Sequence, residues 1–130
     1  MGDTQRDDLV YPELSYRIVG VLFSVDNELG YGYKEQVYEK AVAHALDMAG
    51  LVYREQLHTP LEYKDSKVGT YFLDFLIDGK VVLELKQGSR FSKKDVQQVY
   101  EYLKVSDLKL GILALFSPAG LKFKRIVNEK

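Results

Sequence analysis

At 130 residues and 46% hydrophobic content, the chain fits one domain with an ordinary core. It contains no cysteine, which excludes disulfides, thiolate catalysis and Cys-ligated zinc. The formal charge of −1 excludes coating duplex DNA by overall charge, but residues 1–50 carry −5 and residues 86–130 carry +6. No segment nears the ~20 apolar residues that span a bilayer, and Met1 to Asp8 is too polar for a signal peptide. A cytoplasmic domain over residues 9–127 with no membrane partner and a flexible tail over residues 1–8 is expected.

In chain order, Pro12 suits the first turn of a helix. Leu14, Ile18, Leu22, Val25 and Leu29 then give it an apolar face, and Gly30 and Gly32 end it. A second helix is expected from Tyr33 to Ala49. Val37, Ala41 and Ala45 lie along one face with Tyr38, Val42 and Leu46 beside them, and Gly50 is the stop. Alternating residues predict strands over Val52–Leu57, Leu61–Tyr63, Val68–Ile77 and Val81–Lys86, with turns at Lys64-Asp65-Ser66 and Asp78-Gly79. Ser92 is a good N-cap, with Asp95 in the first turn of a third helix reaching about Val105. Strands over Leu110–Phe116 and Leu121–Val127 follow. The expected fold class is α/β or α+β, with helices covering a mixed sheet.

The chemistry concentrates in Asp74 and Glu84-Leu85-Lys86. The strand period of two puts Glu84 and Lys86 on one face, with Leu83 and Leu85 on the other. An ordinary ion pair on a wet sheet face is one reading; a site is the other. Asp74 lies in the preceding strand, so the hairpin register decides whether it joins them. A two-residue turn at Asp78-Gly79 pairs Asp74 with Leu83, on the face away from Glu84. A three-residue loop Ile77-Asp78-Gly79 with a bulge at Gly79 pairs Leu76 with Lys80 and sets Asp74 diagonal to Glu84. Two carboxylates and a lysine suit phosphodiester hydrolysis with Mg2+ or Mn2+, which polarises the phosphate and activates water. Lys86 would orient that water or stabilise developing charge. Histidines 44 and 58 have no second histidine at ligand spacing, and Ser89 and Ser92 have no histidine partner.

Asp74 followed by Glu84-x-Lys86 resembles the signature of the PD-(D/E)xK nuclease superfamily, with a restriction-endonuclease-like core. Gly32-Tyr33-Lys34-Glu35-Gln36-Val37-Tyr38 resembles the G-x-x-E-x-x-Y label of its GxxExxY branch. Tyr11-Pro12-Glu13-Leu14-Ser15-Tyr16 and Asn27-Glu28-Leu29-Gly30 resemble that branch's opening, and Glu101-Tyr102-Leu103-Lys104 with Leu108-Lys109-Leu110-Gly111 its closing helix and strand. The likeness spans roughly residues 9–127. It departs from the superfamily pattern at Leu73, which stands where a proline often precedes the aspartate.

The resemblance implies a metal site of Glu35, Asp74, Glu84 and the carbonyl of Leu85, with Lys86 as base or electrostatic stabiliser. Gln98 and Tyr102 resemble the Q-x-x-x-Y element of RecB-like and Cas4-like nucleases, with Gln98 at the active site and Tyr102 auxiliary. The expected partner is nucleic acid, DNA more than RNA, met as ends, flaps or single strands rather than by sequence. A homodimer or larger complex is compatible with the composition. The alternative is a catalytically silent module that uses the fold to bind nucleic acid or to assemble with protein.

Overall fold

A computed structural model describes residues 10–129; the expected tail over residues 1–8 lies outside the described residues. The element order is α1 (Pro12–Leu29), α2 (Glu35–Met48), β1 (Tyr53–Tyr63), β2 (Ser66–Ile77), β3 (Val81–Gln87), α3 (Lys93–Ser106), β4 (Leu110–Ser117) and β5 (Gly120–Val127). The five strands form one mixed sheet in the order β1-β2-β3-β4-β5. Neighbours are antiparallel except β3 and β4, which are parallel and joined through α3. A parallel pair needs such a crossover, since a tight turn cannot join strands that run the same way.

The helices divide the core in two. Ile18, Leu22 and Val25 of α1 and Tyr38, Val42 and Leu46 of α2 pack on Phe75, Ile77, Leu83, Leu85, Ile112, Ala114 and Phe116. On α2 the buried row is therefore Tyr38, Val42 and Leu46, whereas Val37 stays 38% exposed. Tyr38 is structural: its ring stacks on Phe116 at 4.1 Å and its hydroxyl donates to the carbonyl of Gly30. On the opposite face α3 sets Val99, Tyr102 and Leu103 against Leu57, Leu73, Val82, Leu113 and Ile126. Gly111 makes this approach possible, because a Cβ there would lie 2.7 Å from Cγ1 of Val99.

Two local expectations change. First, β1 runs unbroken from Tyr53 to Tyr63 through Pro60, which pairs with Thr70. Pro60 breaks the sequence pattern but is tolerated because β1 is an edge strand, where a missing N–H costs no ladder bond. Second, the β2–β3 hairpin adopts neither register considered above. Ile77 pairs with Val81 and Leu76 with Val82. Asp78 and Gly79 are both left-handed (φ 55 and 65), and the N–H of Lys80 donates to Ile77 O at 3.0 Å, as in a two-residue type I′ turn. Lys80 is then the extra residue before pairing begins, so the irregularity lies at Lys80 rather than at Gly79. The physical reason is burial: Ile77 and Val81 are fully buried, and apolar pairs of this kind set strand register.

Candidate active site

The β2–β3 ladder ends at the pair Phe75–Leu83. One step further along that register, Asp74 comes opposite Glu84, directly rather than diagonally. Their side chains replace the missing ladder. The N–H of Asp74 donates to Oε1 of Glu84 at 3.1 Å, and the N–H of Leu85 donates to Oδ2 of Asp74 at 2.7 Å. Each carboxylate thereby satisfies a backbone donor that the splayed strands would otherwise leave unpaired.

The other flank of Asp74 is irregular too. Between the pairs Glu55–Phe75 and Leu57–Leu73, Gln56 is left-handed, with φ 53, and drops out of the ladder. Residues two apart on a strand normally share a face. Here Phe75 lies in the α1/α2 core and Leu73 in the α3 core, so the alternation switches at Asp74. A left-handed conformation at a residue other than glycine costs roughly 1–2 kcal/mol. That strain sits at the position facing Asp74.

Lys86 completes the strand motif. Its ammonium lies 3.5 Å from Glu84 and 3.8 Å from Asp95 of α3. Glu84 is only 6% exposed, and the Lys86 side chain 28%. Gln98 reaches from α3 to donate to the carbonyl of Phe72 at 3.2 Å. Gln56, Phe72, Asp74, Glu84, Lys86 and Gln98 line one open cavity of about 440 Å³, and Glu39 of α2 lines it too.

Burial dominates the electrostatics. Desolvation, and then the charge of Glu84, push the Asp74 carboxyl up to about 7. Glu39 is also raised to about 7, by burial first and then by Asp74, to which it is hydrogen-bonded. Glu84 is raised by burial, although the Lys86 charge and the bonds from Asp74 oppose it. Burial alone would lower Lys86, but Glu84, Glu35 and Asp95 together hold it above its ordinary value, so it remains a cation. Burial thus raises all three carboxyls, Asp74 and Glu39 to about 7, beside the one ammonium of Lys86.

The structure brings Asp74, Glu84, Leu85, Lys86 and Gln98 together. It does not bring in Glu35, which acts on Lys86 and Glu39 only through its charge. The helical acid bonded to Asp74 is Glu39, four residues on and hence on the same helix face. That spacing was the available signal, but how α2 sits against the sheet decides between the two. Tyr102 is 4% exposed, packed in the α3 core away from the cavity. Asp95 and Gln56 went unnoticed in the sequence: Asp95 read as a first-turn helix acid, and its N–H does donate to Oγ of Ser92. Among the described residues, no group of three or more His, Cys, Asp or Glu side chains is arranged to hold a metal ion as it stands. No helix among them is long and apolar enough to cross a membrane.

No curated protein matches the chain. Among solved structures, the crystal structure of SSO0001 superposes with a TM-score of 0.57 at 21% identity, over 72% of this chain and 49% of that one. The chain thus spans about half the length of that protein, and the likeness is one of fold. A family model described as the PD-(D/E)XK nuclease superfamily matches residues 12–126, nearly the whole chain, and the chain belongs to that superfamily.

Proposed function

We propose that the chain is a divalent-metal-dependent nuclease that hydrolyses phosphodiester bonds in DNA without reading sequence, within the GxxExxY branch. The observation that carries this reading is the pairing of Asp74 and Glu84 across the open end of the β2–β3 ladder, with Lys86 held against Glu84. Mg2+ or Mn2+ keeps several waters and needs only one or two protein carboxylates, so a third acid is not required. The donor set fits such an ion chemically. Asp74 and Glu39 retain protons near neutral pH, where a cation would displace them.

Asp74 and Glu84 would hold the ion, with the carbonyl of Leu85 as a further ligand. The N–H of Leu85 points at Asp74, and the N–H and C=O of one strand residue face the same edge, so its oxygen faces the same gap. When bound, the ion supplies Lewis-acid polarisation of the phosphate and a more acidic water. Lys86, kept charged by its acid neighbours, stabilises negative charge on the phosphoryl oxygens rather than accepting a proton. Glu39 orients Asp74 through their shared proton. Gln98 ties α3 to the strand beside the cavity.

The test is cleavage of labelled single-stranded, duplex and flapped DNA and of RNA with Mg2+ or Mn2+, beside Glu84→Gln. Metal-dependent cleavage by the wild type alone supports the nuclease. Absence of cleavage on every substrate favours the silent binding or assembly module.

A further inference from the structure

Phe72 is 62% exposed, on the strand that carries Asp74. It belongs to neither core cluster, yet it lines the same cavity as Asp74, Glu84 and Lys86. Its backbone is fixed from two sides: it pairs with His58 in β1, and its carbonyl accepts from Gln98 of α3. The His58 ring lies beside it at 6.1 Å with a 34° tilt. Apart from its contact with His58, the ring is largely exposed beside a polar cavity and adds to neither core.

We propose that Phe72 is a stacking platform for an unpaired base, and that the substrate of this cavity is single-stranded nucleic acid. The proposal rests on the nuclease reading and names its substrate class. Strand rise places Phe72 about 7 Å from Asp74 along β2, a span that one nucleotide bridges between phosphate and base. The cavity holds three acids and one cation, so a phosphate would enter it against the Lys86 ammonium and a divalent ion held by Asp74 and Glu84. Lys86 stands inside it, and register places Lys122 in the row of Lys86 and Lys124 in the row of Glu84, each beyond β4 on the same sheet face. These two lysines lie on the α3 face of the sheet, beyond the buried Leu113 and Leu115. In a duplex both faces of each interior base are covered by its neighbours, so away from duplex ends it is an unpaired base that can meet the ring.

The experiment is binding of a single-stranded DNA oligonucleotide carrying one 2-aminopurine, in calcium so that no turnover is needed. Wild type, Phe72→Ala and Phe72→Tyr are compared, with a duplex of the same sequence as control. Wild type is expected to bind the single strand and quench its fluorescence, Phe72→Ala to bind about ten-fold more weakly without quenching, and Phe72→Tyr to behave as wild type. Duplex affinity is expected to be the same for all three. Unchanged melting temperatures establish that the variants are folded, as an exposed ring permits. Equal single-strand affinity of wild type and Phe72→Ala overturns the proposal, as does failure of wild type to bind the single strand. Because the readout is stacking, it is separate from the cleavage assay: a protein that cleaves but ignores Phe72→Ala remains a nuclease without this platform.

Discussion

At its closed end the β2–β3 hairpin is an ordinary ladder, in which Ile77–Val81, Leu76–Val82 and Phe75–Leu83 pair by backbone, and all but the half-buried Leu76 are buried. One residue beyond, the same two strands are held by carboxylates bonded to backbone N–H groups, and the neighbouring side chains are Glu39, Lys86 and Gln98. The closed end supplies apolar burial and fixes register. The open end holds a buried acid cluster whose cost that burial offsets. The difference shows how one strand pair separates stability from chemistry by a single step of register.

The comparison breaks most clearly at Leu83 and Glu84, which are adjacent in sequence but face opposite sides. Leu83→Ala removes a fully buried side chain from the closed end and is expected to cost roughly 2–5 kcal/mol in urea denaturation, leaving activity per folded molecule nearly intact. Glu84→Gln is expected to reverse that pattern. Metal-dependent cleavage falls at least about 100-fold, in the range of lost electrostatic stabilisation, with a much smaller change in stability.

Gly111→Ala probes how α3 is held over the open end. The new methyl group meets Val99, and a loss of about 1–3 kcal/mol is expected by the same denaturation measurement. Gln98→Ala removes one bond to the Phe72 carbonyl and is expected to cost about 0.5–1.5 kcal/mol.

Acidity sharpens the comparison without mutation. Asp74 and Glu39 are raised from 3.8 and 4.5 to about 7. From about pH 4 to pH 7 the native state therefore binds more protons than the unfolded one, and stability falls as pH rises. Metal-free protein is expected to melt at a lower temperature at pH 8 than at pH 5.5. Asp74→Asn is expected to flatten that slope.

The layers of the fold were legible because each helix announces its apolar face and each strand its period. The sheet position of Glu84 and Lys86 followed from the same period. What could not be read were places where tertiary burial overrides local pattern. The hairpin turn chemistry at Asp78-Gly79 is that of a two-residue loop, yet burial of Ile77 and Val81 inserts Lys80 and brings Asp74 square to Glu84. Pro60 reads as a break, but an edge strand accepts it. Glu35 and Glu39 share one helix face, and only the docking of α2 brings Glu39 to Asp74. Gln56 carries no sequence mark of its left-handed backbone, because glycine would be the residue expected there.

The central claim is that Asp74 and Glu84 together hold a divalent cation, which displaces the proton that burial favours on Asp74. It is tested most directly by calorimetric titration of Mn2+ into wild type and Asp74→Asn at pH 7, in two buffers of different ionisation enthalpy. The account predicts Mn2+ binding by wild type with a buffer-dependent heat that reports proton release, and loss of that binding in Asp74→Asn. No Mn2+ binding by wild type, or equal binding by both proteins, would contradict it.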